Sequence, residues 1–515
     1  MDDRFEGLRQ QRHLLYDRFA VAQVAVSSDG LEVTFAGPME TGVRVGGFAV
    51  VEVADRCVVV QVRSVEVVER EGPELDLEVR EQVHGYGVSA ARARPMMRAL
   101  HGSAVTLGEL DSAGFTVLPR TVPFGESPIR PATAGEVAAV AAGLPAGAAT
   151  LDVGVLNQAP QVAAQLRATG FGRHTFMCGQ SGSGKTYTTG GLLERLLRRT
   201  SLPILVFDPN SDHVHLGATA DPADESPAAV RHRAVAGDVY VARARGFGSP
   251  FTLCLDFSDL EVDTQALLLR MHPVRDLDDF HALRQVTSTL TAPYSAADVA
   301  AAAAATPEGA RLAKRIANLG IADWELWRRE GERSAADFDI RTKRCVVVDI
   351  GSLPTPDERT AVVLALLGRR WATRRRRDPV LLVIDEAHNV LPAATDNPLL
   401  AATTDLGTLI AGEGRKFGLH LFVATQRPGK VHPNVVSQCD NLVLMRMNGA
   451  ADIAALAGFF SHVPRPMLEQ ATGFGLGEAL FAGPIAPVPV LAKVGRRVSP
   501  QGGADVPATW AEVTS

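Results

Sequence analysis

The stretch GQSGSGKT, Gly179–Thr186, fits the pattern G-x-x-x-x-G-K-[ST] at every fixed position. Such a loop works only where a buried strand runs into it and a helix leaves it. Both flanks comply: His174–Cys178 is apolar and strand-like, and Thr188–Thr200 has the spacing of an amphipathic helix. The glycines let successive backbone N–H groups turn inward to cradle phosphates, and the positive end of the helix adds to that field. The expected nucleotide-binding residues are therefore Gly179, Gln180, Ser181, Gly182, Ser183, Gly184, Lys185, Thr186 and Tyr187. Lys185 is placed to reach the β- and γ-phosphates of ATP, and Thr186 to offer its hydroxyl to Mg2+.

A second element completes this chemistry. In VLLVIDEAH, Val380–His388, an apolar strand ends in two acids at the sheet edge where ligands of α/β folds bind. Asp385 is the expected Mg2+ ligand, and Glu386 the group that polarises the attacking water. The letters DEAH invite comparison with DEAH-box helicases, but no other motif of that group is present. LHLFVATQRP, Leu419–Pro428, is a third strand ending in polar groups. There Gln426, beside Thr425, either senses the γ-phosphate or simply caps the strand. In GEGRKFG, Gly412–Gly418, Arg415 and Lys416 precede that strand. Arg415 either stabilises transition-state charge in a neighbouring subunit or is a solvated basic turn, and Arg173 is a weaker candidate for the same role. The run Arg374–Arg377 reads as a solvated helix end. His213 and His215 have no Cys or His at metal-ligand spacing, so no metal site is expected there.

Around these motifs the chain divides by pattern. At 515 residues it is too long for one ordinary core. Leu31–Ala36, Gly46–Ala54, Cys57–Glu69 and Glu74–Glu81 are β-branched, partly alternating and punctuated by turn residues, which predicts a small barrel or sandwich over 1–122. Within it Ala90–Gly102 reads as a helix or connector. A Pro/Ala/Gly-rich linker is expected over 123–150, with a short helix at Ala134–Ala142. From 151 to 497 apolar strands alternate with amphipathic helices, the signature of a mostly parallel sheet. A largely helical insertion is expected at about 213–344, and a polar tail over 498–515. The five cysteines are scattered, the apolar runs are strand-length, and the first residues lack a signal-peptide core, so a cytoplasmic protein without an integral membrane segment is expected. A net charge of −6 means that any grip on nucleic acid must come from a local basic surface.

Taken together, these segments resemble the HerA family, in the FtsK–HerA group of ring-forming P-loop ATPases. The resemblance runs through Phe171–Leu197, the DPNSDH stretch at Asp208–His213, Leu381–Asn389, Ile410–Met447 and Glu478–Val494. It implies a RecA-like P-loop core preceded by a HAS-barrel. It also implies a homohexamer that hydrolyses ATP between subunits, moves DNA through its central channel and receives a nuclease or other effector on the barrel, in DNA repair or phage defence. An ATP-regulated ring scaffold that activates an effector without translocating is the alternative, and a conjugation- or secretion-type ATPase a third. By the same resemblance Asp208 lies near the nucleotide. The family's usual Gly-Glu after the Asp-Pro is replaced by Asn210-Ser211-Asp212, which leaves the roles of Asp208 and Asp212 open, as is the choice between Arg173 and Arg415 as the group acting in trans.

Overall fold

A computed structural model describes residues 21–71, 75–79, 89–93, 96–144, 147, 149–337 and 343–503. The charged N-terminal stretch and the end of the tail lie outside them. The chain forms two compact units: the described residues up to 144, with 158–162 and 464–469, make the first, and the rest make the second.

The first unit is an antiparallel barrel. Its strands are β1 (Val24–Ser27), β2 (Glu32–Gly37), β3 (Phe48–Val53), β4 (Arg56–Glu71), β7 (Met96–Asp111), β8 (Gly114–Val117) and β9 (Phe124–Pro131), while β5 (Leu75–Val79) and β6 (Ser89–Ala93) pair separately. The order is β2-β1-β9-β3-β4-β7-β8, and a β2–β7 pairing closes six of these strands into a ring. Period-two burial follows: Val58, Val60 and Val62 of β4 meet Val33, Phe35, Ala49, Val51 and Ile129 in one core. Gly102 is required by close approach, since a Cβ there would lie 2.2 Å from the Phe35 ring.

Two expectations fail here. Ala90–Gly102 is not a helix: β6 and the start of β7 occupy it, and β7 bonds to β4 from Cys57↔Leu110 to Glu71↔Met96 and to β2 on its other side. Ladder partners on both flanks override a locally helical composition. The segment expected as linker opens with β9, which sits between β1 and β3 and buries Phe124 and Ile129. The helix inside it is present at Ala134–Gly143, started by a capping box of Thr133 and Glu136.

The second unit is a twelve-stranded sheet. Its strands are β10 (Thr150–Leu156), β11 (Ala159–Arg167), β12 (Thr175–Cys178), β13 (Ile204–Asp208), β14 (Val239–Arg243), β15 (Phe251–Thr252), β16 (Cys345–Asp349), β17 (Val380–Ile384), β18 (Leu419–Thr425), β19 (Asn441–Met445), β20 (Glu478–Ala482) and β21 (Val490–Val494). The order is β11-β10-β21-β20-β19-β12-β18-β17-β13-β16-β14-β15. From β19 to β15 the pairings are parallel, and β19–β20, β20–β21 and β10–β21 are antiparallel. Every residue of β12, β13, β16, β17 and β19 is buried, as a parallel sheet covered by helices on both faces demands. The insertion carries helices at Pro227–Val235, Val262–Leu268, Leu277–Thr289, Ala296–Ala304 and Ala310–Leu319. It is not purely helical, because β14 and β15 extend the sheet beyond β16. Cys178, Cys254, Cys345 and Cys439 are buried and free, as expected of small apolar fillers. Among the described residues no helix is long and apolar enough to cross a membrane.

His174, just before β12, ties that strand into the sheet. Its Nδ1 accepts from the Leu421 N–H at 2.9 Å, so Nε2 carries the proton and donates to the Ala411 carbonyl at 3.0 Å. Burial pushes this imidazole down to about 4. The unfolded chain therefore takes up a proton near pH 6.5 that the folded chain refuses until about 4. Stability to urea is expected to decline as pH falls through this window. His174→Gln should reduce that slope by one proton's worth, about 1.4 kcal/mol per pH unit.

Candidate nucleotide-binding site

The loop between β12 and the helix Lys185–Arg199 is shaped by two glycines in left-handed backbone, Gly182 (φ 72°) and Gly184 (φ 92°). Neighbouring strand ends fix it from outside. The Gln180 N–H donates to the Arg446 carbonyl at 2.9 Å, and the Arg446 guanidinium donates back to the Gly182 carbonyl at 3.1 Å. On the other side the Gly477 N–H donates to the Ser183 carbonyl at 3.0 Å. The loop is thus held by the end of β19 and the turn before β20, both distant in sequence.

β17 delivers the two acids to this loop. Lys185 Nζ lies 2.7 Å from Asp385 Oδ1 and 2.8 Å from Glu386 Oε1, and all three side chains are buried. Burial alone would lower the Lys185 ammonium, but the two carboxylates outweigh it and hold it above its usual range. Burial alone would raise Asp385, yet Lys185 and His213 outweigh that and hold it well below the ordinary carboxylate range. Glu386 adopts φ 44°, a left-handed backbone that turns its side chain towards Lys185 at the strand end. Gln426 Nε2 donates to Glu386 Oε1 at 2.9 Å, so the third strand end meets the same carboxylate. His388 Nδ1 lies 3.0 Å from Thr425 Oγ1 and 3.3 Å from Glu386 Oε2.

From β13, Asp208 acts on backbone: Oδ1 accepts from Asp212 N–H at 3.0 Å, and Oδ2 from His213 N–H at 2.7 Å. This brings Asp212 to the cavity wall, where burial together with Asp385 and Asp208 pushes its carboxyl up to about 6. The cavity measures about 820 Å³ and is lined by Gln180–Gly182, Gly184–Tyr187, Asp212, Gln426, Leu476 and Lys493, among others. Its donor set suits Mg2+, a hard cation served by oxygen and by the phosphates it accompanies. Thr186 lines the cavity, and Asp385 Oδ2 is buried without a hydrogen-bond partner.

Gly179–Tyr187, Asp385, Glu386 and Gln426 therefore converge at the C-terminal edge of the parallel strands. Arg173 and Arg415 do not join them. Both precede their strands, β12 and β18, and share Asp440 Oδ2, at 3.3 and 2.8 Å. The length of β12 and its flanks puts that edge about 20 Å from the phosphate loop.

The sequence reading missed His213 as a site residue, because its partner Asp385 lies in a distant strand. It also missed the C-terminal segment: Val498 and Ser499 are buried, and Gln501 and Gly503 line the cavity. That segment is anchored by Glu194, fully buried on the helix that follows the phosphate loop. Glu194 accepts from the backbone N–H groups of Val498 (2.9 Å) and Ser499 (2.5 Å) and faces Arg497 at 3.8 Å.

A Walker-type lysine against strand-end acids, in a largely parallel sheet of this order, defines a RecA-like P-loop protein. Residues 151–308 match the family model described as the central domain of the helicase HerA. The chain is similar to a probable DNA double-strand break repair helicase HerA of Methanocaldococcus jannaschii (31% identity over 25% of this chain and 25% of that protein). It is likewise similar to the DNA double-strand break repair helicase HerA of Sulfurisphaera tokodaii (32%, over 25% of each). The chain thus spans about a quarter of the length of the curated relatives it matches. Among solved structures, VirB4 of Thermoanaerobacter pseudethanolicus aligns over 67% of this chain and 96% of its own, with 16% identity and a TM-score of 0.45.

Glu194→Ala would strand a buried guanidinium and two buried N–H groups, a loss on the order of 3–5 kcal/mol. Denaturant titration should show it, with faster tryptic cleavage at Arg496 or Arg497 under native conditions.

Proposed function

We propose that this protein is a Mg2+-dependent, ATP-hydrolysing motor that acts on DNA. In this reading it works as a cytoplasmic homohexameric ring with DNA in the central channel. A separate nuclease or other effector docks on the barrel unit, in DNA repair or phage defence. The observation that carries the proposal is Lys185 bridging Asp385 and Glu386 beside the phosphate loop.

Entry of a triphosphate offers Lys185 an anion richer than either carboxylate, and the ammonium shifts to the β- and γ-phosphates. Thr186 and Asp385 would hold Mg2+ alongside the nucleotide, and the ion would supply neutralising charge to the phosphates. Glu386, released from Lys185, becomes free to hold the attacking water and take its proton. Gln426, already bonded to Glu386, fixes that carboxylate's orientation. The remaining need is a cation facing the leaving phosphate from outside the cradle. Arg173 and Arg415 stand at the opposite sheet edge, so within one subunit neither reaches it. Head-to-tail packing in a ring would bring one subunit's arginine edge to the next subunit's cradle.

Lys185→Ala should lose tight nucleotide binding. Glu386→Gln should keep binding and slow hydrolysis roughly 10²–10⁴-fold. Double-stranded DNA at low salt should bind and raise wild-type turnover. If DNA changes neither, translocation is wrong and the scaffold reading replaces it; wild-type hydrolysis by Glu386→Gln would show that the wrong base has been named.

A further inference from the structure

The imidazole of His213 is fully buried, yet neither ring nitrogen has a hydrogen-bond partner. A buried, unpaired polar group costs on the order of 1–3 kcal/mol, so a side chain kept there merely to fill space would be better made of carbon. Its main chain is not free to drift, because the His213 N–H is fixed on Asp208 Oδ2 at 2.7 Å and its carbonyl accepts from the Leu216 N–H at 3.0 Å.

The ring faces Asp385. His213 Nε2 lies 3.5 Å from Asp385 Oδ2, which is itself buried and lacks a hydrogen-bond partner. The other oxygen of that carboxylate is already engaged: Oδ1 takes the Lys185 ammonium at 2.7 Å and the Glu386 N–H at 2.8 Å. The two oxygens of Asp385 thus have separate attachments, one of which Lys185 must surrender when phosphates arrive. A shift of about half an ångström turns the Nε2···Oδ2 approach into a full hydrogen bond.

We infer that His213 is a positioning residue for Asp385: its Nε2–H holds Oδ2, so that the carboxylate keeps its aim at the cation when Lys185 departs. Groups of this kind, one bond removed from a metal, typically change metal affinity 10–100-fold when lost. The inference rests on the nucleotide-site reading and adds a residue to it.

The test is Mg2+ titration of fluorescent ATP-analogue binding to the full chain, compared with binding in excess chelator. His213→Phe fills the space without a donor. It should raise the Mg2+ concentration at half-saturation about 10–100-fold, leaving chelator-state binding and the melting temperature of the free protein near wild type. His213→Gln, whose amide reaches Asp385, should restore most of the Mg2+ response, and His213→Asn, one carbon shorter, should not. If His213→Phe fails to fold, the Gln and Asn pair carries the same comparison. Wild-type Mg2+ dependence in His213→Phe, or equal dependence in the Gln and Asn variants, overturns the role of His213 alone. Absence of Mg2+-dependent binding in wild type overturns the nucleotide site with it.

Discussion

One ammonium between two carboxylates organises this molecule. Lys185, Asp385 and Glu386 are buried together, and removing any of them leaves charge without its counterpart in a poorly screened interior. Desolvation penalises each of the three, and their mutual attraction offsets it only while the geometry holds. The surrounding framework meets that requirement. β12, β18, β17 and β13 lie side by side in parallel register, so the loop after β12 and the acids after β17 emerge at one edge. The sheet is therefore the device that makes an energetically awkward trio permissible.

The same trio explains why distant segments gather at this edge. Two carboxylates against one lysine leave negative charge over, and Asp208 and Asp212 add more. Backbone N–H groups, His213 and the Gln426 amide supply the compensating dipoles. Asp208 is spent on main-chain groups of residues 210–213, which makes it a structural clamp for the segment that carries Asp212 and His213. Glu194 does the equivalent for the C-terminal segment, gripping two N–H groups and Arg497 to bring Gln501 and Gly503 to the cavity. A buried acid clamping main chain is the recurrent means by which this site acquires its walls.

What could be read from the sequence was whatever local chemistry forces on local spacing. The phosphate loop must have its glycines, lysine and threonine in fixed order between strand and helix. The acids of β17 must end an apolar run, so both were legible, as were the short helix from Ala134 and the buried cysteines. What was not legible depends on partners far away. β9 lies in a Pro/Gly-rich stretch and is a strand because β1 and β3 flank it. The start of β7 looks helical until β4 and β2 are beside it. His213 looks like an unpaired histidine until Asp385 is opposite, and residues 498–503 look like a tail until Glu194 is found buried beneath them.

The arginines illustrate the remaining step, from residue type to place. Sequence gives Arg173 and Arg415 as basic residues just before strands; the parallel register then assigns both to the edge opposite the phosphate loop. There they converge on Asp440, with half or more of the Arg173 side chain and about a third of the Arg415 side chain accessible. An exposed arrangement of this kind is worth about 0–1 kcal/mol, because water and salt screen it. The buried trio at the other edge is held far more firmly. A cation so weakly committed gives up little when it turns to a better anion, such as the terminal phosphate on a neighbouring subunit. The contrast between a tightly held lysine at one edge and loosely held arginines at the other is what the proposed ring requires of each copy of the chain.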